Sequence, residues 1–318
     1  MGPADYTAAE GVSAGETPSS KGARERPKGP SSLYRLDVWR AAVFLARRLP
    51  HFVLGRLAVQ GAQGYWLVSR ARRRVVYENV LPVVRGDRLA ARIATRELFA
   101  QFGLKLADLW RYESGLSIYN LFDHLTGWEH FETAQARGRG VLFLTIHLGN
   151  WEFGAPLLTQ RGIKLQVITL EEPGEQFTEF RQAARVRWGI ETLPLGNDPF
   201  AAVEIIRRLE ANSSVALLMD RPPAGTAARV KLFEREFDAS MSAAELARAT
   251  GCALLPVYLP RTSRGYSAQI LPAIAYDRQE IGSREGRVAL TQKIMQAFEP
   301  AIRLYVNQWF HFVPIWPQ

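Results

Sequence analysis

An uncharged apolar run, Val141–Ile146, constrains the fold of this chain more than any other part of the sequence. A strand without a polar face is typical of a parallel sheet that is covered on both sides. The run ends at His147, and Leu148-Gly149-Asn150 follows, where the glycine permits a tight turn and the asparagine is a good helix N-cap. An apolar helical pattern begins at Trp151. The sequence therefore predicts a strand that turns into a helix, with His147 at the corner.

The same corner brings a carboxylate towards the histidine. Glu152 follows His147 by five positions, and on one continuous helix the two side chains would lie roughly 140° apart. Across a strand-turn-helix corner they can converge, so we expect Glu152 to orient His147 as it takes a proton from a hydroxyl. The unpaired N–H groups of the helix N-terminus would favour an anion or a developing oxyanion there. A hydrogen-bonded structural histidine at a strand end is the alternative.

The rest of the chain alternates between strand and helix patterns. Alternation of this kind predicts an α/β fold with a mostly parallel sheet, helices on both faces, and ligands at the C-terminal ends of the strands. Further strands are predicted at Leu165–Leu170, Ser214–Met219, Ala253–Leu259 and Ala268–Ile274. Helices are predicted at Trp128–Arg137, Gln176–Trp188, Pro199–Glu210, Ser242–Thr250 and Arg287–Tyr305, with Pro199 after Asn197-Asp198 as a helix start.

A second polar group is predicted at the same edge of the sheet. Asp220 and Arg221 end the apolar strand Ser214–Met219, and the carboxyl ends of parallel strands meet at one edge. We therefore expect this pair to lie close to His147. The alternative is that the two residues only begin a surface loop.

The excess positive charge lies in one segment. The formal net charge is +9, and residues 33–112 alone hold 15 Lys and Arg against 5 Asp and Glu. Residues 33–84 read as two or three apolar and basic helices, and Arg88–Tyr112 as a further amphipathic helix. Such helices are typical of an interfacial anchor on anionic lipid. His51–Val68 approaches the length of a membrane span, but Arg56 and two glutamines interrupt it.

Two alternatives explain the same basic segment. It can be the solvated charged face of an ordinary helical domain, or the cluster Arg70–Arg74 can bind nucleic acid. No recognised nucleic-acid-binding motif accompanies the cluster, so we predict no nucleic acid partner.

Composition divides the chain into three parts. Residues 1–32 are rich in Gly, Pro, Ser and Ala, with almost no large apolar side chains, which predicts a disordered tail. We assign 33–125 to a helical membrane-associated region and 126–318 to the α/β domain. The single cysteine, Cys252, excludes an intrachain disulfide and a cysteine-based zinc cluster, and it fits a reducing cytosolic setting.

The string ARGRGVLFLTIHLGNWE contains a His-x-x-x-x-Glu motif at His147 and Glu152. It resembles the bacterial lipid A biosynthesis acyltransferases, the lauroyl/myristoyl transferase branch of the glycerolipid acyltransferase superfamily. The resemblance runs from about Leu33 to the C-terminus. It implies a glycerolipid acyltransferase-like α/β fold and a membrane-associated enzyme. Such an enzyme would move a fatty acyl chain from an acyl thioester to a hydroxyl of a lipid A precursor or a related glycolipid.

The resemblance also implies roles for single residues. His147 would be the general base with Glu152 as its partner, and Gly149 and Asn150 would belong to the substrate-binding motif. We expect backbone N–H groups between Gly149 and Glu152 to stabilise the oxyanion. Asp220 would contact the polar head of the acceptor, or order the loop that does, with Arg221 beside it.

Arginines complete the expected site. In the segment RVRWG the resemblance makes Arg185 the functional arginine, with Arg187 as the fallback, since a guanidinium binds phosphate well. A surface arginine on a helix is the alternative. In the family a basic pair also precedes an asparagine, as Arg73, Arg74 and Asn79 do here.

The chain departs from the family pattern twice. Leu232-Phe233-Glu234 stands near the acceptor loop where the family usually has Phe-Phe-Gly, and the usual basic ending is missing after Trp309-Phe310-His311. Both departures leave the identity of the acceptor open. A phosphoinositide mannoside or an aminolipid could replace the lipid A precursor.

The expected partners are anionic membrane lipids, the glycolipid acceptor, and acyl carrier protein or a CoA thioester as donor. No cofactor and no metal are required, because a thioester is already activated. We expect a peripheral or interfacial location on the cytoplasmic face of the bacterial inner membrane. A non-catalytic membrane-binding homologue and a thioesterase that uses water are the rival functions. Acyl chain length, donor type and oligomeric state stay open.

Overall fold

The computed structural model describes residues 35–170, 175–195, 201–223 and 225–317. The predicted tail at 1–32 and the predicted helix start at Pro199 lie outside these residues. The helices are α1 (Leu36–Arg48), α2 (His51–Val68), α3 (Arg70–Val83), α4 (Arg88–Glu113), α5 (Trp128–Gln135), α6 (Gly154–Thr159), α7 (Glu175–Val186), α8 (Ala201–Glu210), α9 (Ser242–Thr250) and α10 (Arg284–Leu304). The strands are β1 (Phe122–Thr126), β2 (Val141–Thr145), β3 (Leu165–Leu170), β4 (Glu191–Leu195), β5 (Ser214–Leu218), β6 (Ala227–Leu232), β7 (Arg235–Ser240), β8 (Ala253–Tyr258) and β9 (Tyr266–Ile270).

A seven-stranded sheet with the order β1-β9-β8-β2-β5-β3-β4 forms the centre of the fold. Its neighbours are parallel except for β8 and β9, which pair antiparallel over a short stretch. All five residues of β2 are buried, because β2 lies in the middle of the sheet with both faces covered. The predicted mostly parallel α/β fold is confirmed.

The predicted elements differ from the observed ones mainly at the edges of the sheet. Leu165–Leu170 and Ser242–Thr250 are observed with the predicted bounds, whereas the strand predicted at Ala268–Ile274 lies at Tyr266–Ile270. The strands β1 and β4 were not predicted. Both are edge strands, and FDHLT and ETLPL lack the long apolar run that marks a buried strand. Because β1 begins at Phe122, the sheet begins inside the predicted helical region 33–125.

The hairpin of β6 and β7 was also missed. Its two strands pair antiparallel, apart from the large sheet, and alternate between exposed and buried residues along β6. Phe233 and Glu234, at the point where the sequence departs from the family pattern, form its turn and have left-handed backbone φ angles of 51° and 62°. The amide of Phe233 donates to Glu299 on α10 at 3.1 Å.

The basic segment folds as four helices, which confirms its predicted helical character. Asp87 caps α4 by accepting from the amides of Leu89 and Ala90 at 2.9 and 3.0 Å. The helices α2 and α4 approach closely at Gly103, where a Cβ would lie 2.6 Å from the Ala58 carbonyl oxygen. None of the described helices is both long enough and apolar enough to cross a membrane.

The C-terminal segment ties this helical region to the sheet. Asn79 on α3 donates to the carbonyls of His311 and Val313 at 3.0 and 2.8 Å. The amide of Phe310 then donates to the carbonyl of His147 at 2.7 Å. The segment after α10 therefore runs along the predicted corner and holds it in place.

Candidate active site

The corner after β2 is built from backbone hydrogen bonds. Gly149 has a φ of 63°, and a Cβ at this position would lie 1.9 Å from the Leu259 carbonyl oxygen, so only glycine fits. The amide of Gly149 donates to the Gln308 carbonyl, and the amide of Asn150 donates to the Leu259 carbonyl, both at 2.9 Å. These two amides are already used within the corner, so the expected oxyanion contact from N–H groups at Gly149–Glu152 stays a prediction for Trp151 and Glu152.

The predicted helix after the corner is short. A single 3₁₀ turn, Trp151–Phe153, comes first, and the six residues of α6 follow. The asparagine makes no side-chain cap to this turn. The helix N-terminus is therefore too brief to supply the anion site that the sequence suggested.

His147 meets a different carboxylate from the predicted one. Its Nδ1 lies 2.7 Å from Asp220 Oδ1, and its amide donates to Asp220 Oδ2 at 2.9 Å. Because β2 and β5 pair in parallel, with Thr145 opposite Leu218, the residues that follow the two strands meet at one edge. The expected closeness of Asp220 and His147 is confirmed, whereas the partner of His147 is Asp220 and not Glu152.

Asp220 gathers donors from the C-terminal segment as well. Trp309 Nε1 donates to Asp220 Oδ2 at 2.9 Å, and His311 Nε2 lies 2.8 Å from the same oxygen. Burial would raise the pKa of Asp220, but the two histidines outweigh burial and hold the pKa well below its usual value. The carboxylate is therefore ionised, and it accepts the Nδ1 proton of His147.

This arrangement leaves Nε2 of His147 without a proton. Burial and then the nearby charge of Arg221 lower the pKa of His147 to about 3, although Asp220 acts in the opposite direction. The imidazole is therefore neutral at physiological pH, which is the form that a general base requires. Its ring also meets Trp151 edge to face, with ring centroids 4.8 Å apart.

Arg221 lies beside the two histidines. Its Nη2 donates to the Phe310 carbonyl at 2.6 Å, and its Nε donates to Nδ1 of His311 at 3.4 Å. His311 thus keeps its proton on Nε2, facing Asp220. The sequence singled out Arg221 correctly as a neighbour of the corner, but it gave no sign of His311 or Trp309.

Glu152 is bound by two arginines of α7. Arg181 Nη2 donates to Glu152 Oε1 at 2.9 Å, and Arg185 Nη2 lies 3.2 and 3.1 Å from its two oxygens. Burial would raise the pKa of Glu152, but Arg181, Arg185 and Lys105 together hold it well below its usual value. Within the described ranges, the side-chain hydrogen bonds of Glu152 go to these arginines and not to His147.

Arg181 continues this network away from the corner. Its Nε donates to Glu113 Oε1 at 2.9 Å, and the indole Nε1 of Trp39 donates to the other oxygen of Glu113. Nothing in the sequence joined Trp39, Glu113 and Arg181 in one network, because residues from α1, α4 and α7 share no local spacing. The fallback Arg187 is exposed, and its guanidinium donates to the Glu113 carbonyl instead of facing the corner.

A cavity of about 1020 Å³ lies between His147 and the arginines that bind Glu152. Its walls are mostly apolar and come from α1, α2 and α4, from the sheet edge, and from the C-terminal segment. Val38, Leu45 and Leu57 line it while 40 to 51% exposed, so the cavity reaches the surface at α1 and α2. His147 and Glu152 both line it, as does the predicted Arg185. The other basic residues on its walls, among those described, are Arg72, Lys105, Arg181 and Arg221.

A second, narrower pocket of about 100 Å³ lies between α6 and the sheet. It shares Trp151, Glu152 and Arg185 with the large cavity, and its other walls are nearly all apolar. The described residues that line these two spaces do not include Gly149, Asn150 or Asp220. All three residues are buried, and their role in substrate binding stays a prediction.

The basic pair before the asparagine has structural partners. Arg73 donates to the Trp66 carbonyl at 3.2 Å, and Arg74 pairs with Glu78 on the same helix at 2.8 Å. Asn79 is buried and binds the C-terminal segment, as described above. Of this basic stretch, Arg72 is the residue that lines the large cavity.

The cluster His147, Asp220 and His311 offers donor atoms that a metal ion could use, all within 4.8 Å of one another. Each imidazole nitrogen is at a hydrogen-bond distance from the carboxylate, 2.7 or 2.8 Å. Bonds of about 2.0 Å to a tetrahedral zinc ion would hold such atoms about 3.3 Å apart. The distances between the two histidines and Asp220 are therefore those of hydrogen bonds.

Comparison with known proteins relates the chain as a whole to one family. The model of the family described as bacterial lipid A biosynthesis acyltransferase matches residues 38–318. A phosphatidylinositol mannoside acyltransferase of Mycobacterium tuberculosis strain H37Rv is 28% identical over 195 residues, which are 60% of this chain and 58% of the relative. The protein of the same description from Mycolicibacterium smegmatis is 27% identical over 194 residues, 59% of this chain and 60% of the relative. The matched part thus spans less than two thirds of these relatives.

Proposed function

Because the chain belongs to the bacterial lipid A biosynthesis acyltransferase family, we propose that it is a membrane-associated acyltransferase. It moves a fatty acyl chain from an acyl thioester to a hydroxyl of a glycolipid. The observation that carries this proposal is a neutral imidazole, fixed by an ionised aspartate, on the wall of a large apolar cavity. A base in contact with a space for hydrocarbon suits the joining of a lipid hydroxyl to a fatty acid.

The reaction is a single acyl transfer. Nε2 of His147 takes the proton of the acceptor hydroxyl as its oxygen forms a bond to the thioester carbonyl carbon. The carbon–sulfur bond then breaks, and the thiolate leaves with the proton from the imidazolium. Asp220 accepts the hydrogen bond from Nδ1–H of His147 throughout and stabilises the imidazolium while it exists.

The negative charge that develops on the carbonyl oxygen needs a positive neighbour. Among the described residues, Lys105, Arg181 and Arg185 lie around Glu152 on the cavity wall, so cationic groups are close to the place where this charge would develop. In an apolar cavity such charges act strongly on an oxyanion. A guanidinium also suits a phosphate of the donor or of the acceptor, which supports a substrate-binding role for Arg185.

The helices α1 and α2 form the surface that contacts the membrane. Phe44 and Phe52 are 56 and 65% exposed, and both lie under arginine side chains of their own helices. Aromatic rings beside arginines suit an interface with anionic lipid. We propose that this surface lies on the cytoplasmic face of a bacterial inner membrane, so that lipid enters the large cavity where it opens at α1 and α2.

The acceptor is either a lipid A precursor or a phosphatidylinositol mannoside. The family description supports the first, and the names of the two relatives support the second. Both are phosphorylated glycolipids with free sugar hydroxyls, so the same base and the same basic wall serve either one. The donor is an acyl-CoA or an acyl carrier protein thioester.

One experiment tests the function. The purified full chain is mixed with acyl-CoA thioesters from lauroyl to palmitoyl and with anionic vesicles that contain a lipid A precursor or a phosphatidylinositol mannoside. Mass spectrometry should show one acceptor gaining one acyl chain, and His147→Ala should lower the rate about a thousandfold without changing vesicle binding.

Three results would contradict the proposal. Free fatty acid without acylated lipid would indicate a thioesterase. Vesicle binding without any product, across all donors including acyl carrier protein thioesters, would indicate a non-catalytic homologue. A His147→Ala variant with wild-type rates would refute the base.

A further inference from the structure

A buried chain of contacts connects the first helix to the edge of the cavity. It runs from the indole of Trp39 on α1 to Glu113 at the end of α4, then to Arg181 on α7, and from there to Glu152. Four separate segments meet in this way, and each contact joins one segment to the next.

Every group along this chain is withdrawn from water. Trp39 and Glu113 are each 2% exposed, Arg181 is 5% exposed, and the Glu152 side chain is 13% exposed. Burial raises the pKa of Glu113, even though Arg181 and the Trp39 indole favour its charged form. A buried carboxylate of this kind depends on its donors, because losing one leaves an oxygen unsatisfied in an apolar setting.

Arg181 is held on two sides. Its Nε faces Glu113 and its Nη2 faces Glu152, so the plane of the guanidinium is set by both carboxylates. The guanidinium carbon also lies 5.4 Å from the centre of the Trp39 ring, as in a cation–π contact. Without Glu113 the guanidinium could turn and bind Glu152 or a substrate in another geometry.

We propose that Trp39 and Glu113 are positioning residues for acyl transfer. They fix the orientation of Arg181, and Arg181 together with Arg185 fixes the carboxylate of Glu152 on the wall that His147 shares. This inference rests on the proposed function, because it assumes that the cavity is where the transfer occurs. Neither residue needs to touch a substrate for its loss to slow the reaction.

The helix α1 then has two roles, one at the lipid surface and one inside the protein. The indole of Trp39 points into the protein, while Phe44 on the same helix is exposed on the surface proposed to meet lipid. A change in how α1 packs would remove the indole from Glu113 and loosen Arg181. The rate of transfer is thereby tied to the packing of the helix that meets the membrane.

The test uses conservative variants of the full chain. Trp39→Phe keeps an aromatic ring but removes the N–H, and Glu113→Gln keeps the size but removes the charge. A matched control pair exists on α5, where the Trp128 indole donates to Glu132 at 2.9 Å on the surface. The steady-state kcat and KM are measured with palmitoyl-CoA and with vesicles that contain the accepted glycolipid.

The expected results separate positioning from mere stability. Glu113→Gln should lower kcat about tenfold and Trp39→Phe about threefold to tenfold, with KM changed less than about twofold. The double variant should be no slower than Glu113→Gln alone, since both changes act through Arg181. Trp128→Phe and Glu132→Gln should leave both constants unchanged.

Failure of this inference differs from failure of the function. If His147→Ala abolishes the product while Trp39→Phe and Glu113→Gln keep the wild-type kcat, the positioning role is refuted and the transferase stands. Strictly multiplicative effects of the two changes would also refute it. If His147→Ala itself keeps full activity, the proposed function fails. Should Glu113→Gln not fold, Trp39→Phe alone decides the result, because its ring still fills the buried site.

Discussion

Two buried carboxylates sit beside the same cavity, and they are stabilised in opposite ways. Asp220 is surrounded by neutral donors, namely two imidazoles, one indole and one amide. Glu152 is surrounded by fixed positive charges from Arg181, Arg185 and Lys105. We call the first group the histidine cluster and the second the arginine cluster.

The difference shows which cluster can move a proton. An imidazole can take up and release a proton during a reaction, whereas a guanidinium stays charged at any pH that the protein survives. The histidine cluster can therefore transfer a proton through His147. The arginine cluster supplies fixed charge, so we expect its carboxylate to hold the geometry of the cavity wall rather than to orient the base.

The largest expected effect comes from breaking the histidine cluster. In Asp220→Asn the amide N–H₂ competes with the Nδ1–H of His147, so the ring would carry its proton on Nε2 and could not act as a base. We expect kcat to fall about a thousandfold or more. Steady-state kinetics measures the loss, and nitrogen NMR of labelled histidine reports the change of tautomer. Asp238→Asn on the β6–β7 hairpin is the control. A kcat within about twofold of wild type in Asp220→Asn would show that the histidine cluster has no special role in the reaction.

A smaller loss of rate is expected from the arginine cluster. Glu152→Gln removes the carboxylate that pairs with Arg185 and one of the two that pair with Arg181, which should cost about 3 kcal/mol of unfolding free energy. The rate should fall about tenfold to a hundredfold, because the base itself is untouched. Urea unfolding and kinetics measure the two effects. The control Glu204→Gln removes a surface carboxylate paired with Arg208 and should change neither the stability nor the rate. If Glu152→Gln lost as much rate as Asp220→Asn, the two clusters would not differ in their roles.

The two clusters should also differ in their response to acid. The folded pKa of His147 is about 3 against a usual value of 6.5, so between these values the unfolded chain binds a proton that the folded chain does not. Stability should thus fall as the pH drops below 6.5, by up to about 1.4 kcal/mol per pH unit for this one group. His311, whose pKa is also lowered by burial, adds to the slope.

Unfolding titrations between pH 7 and pH 4 measure this dependence. His147→Gln should make the slope shallower by about one proton, whereas Arg185→Lys, which keeps a positive charge at this position, should leave it unchanged. An equally steep slope in His147→Gln would contradict the folded pKa of the histidine.

The smallest expected effect lies at the outer surface of α1. Phe44→Ser removes an exposed ring from the surface proposed to meet lipid, so binding to phosphatidylglycerol vesicles should weaken about tenfold. The unfolding midpoint should stay the same, since Phe44 is more than half exposed. A vesicle sedimentation assay measures the binding, with Phe44→Leu as the control that keeps an apolar side chain. Unchanged binding in Phe44→Ser would place the lipid contact elsewhere.

Local patterns were sufficient for the middle of the sheet. The apolar run before His147 predicted β2, and alternation of strands with helices predicted a mostly parallel sheet, because a strand buried on both faces needs apolar residues at every position. The edge strands β1 and β4 escaped prediction for the same reason. One side of an edge strand meets solvent or loops, and polar residues are allowed there.

The sequence also predicted that His147 and Asp220 lie at the same edge of the sheet. His147 and Asp220 both follow buried strands, and parallel pairing brings such residues together. The sequence did not identify which carboxylate bonds to the imidazole. Glu152 is closer along the chain, but the 3₁₀ turn after the corner directs it to α7, and the β5 register directs Asp220 to His147.

Only part of the arginine cluster was predicted, namely Glu152 and Arg185, and its links to Arg181, Glu113 and Trp39 were not. Trp39, Glu113, Glu152 and Arg181 are spread over more than a hundred residues and lie on four different segments. No spacing rule joins them, because their contacts arise only when α1, α4 and α7 pack around one cavity. A chain's periodicity reports which face of each element is buried, whereas the pairing of buried charges is set by how those faces meet in three dimensions.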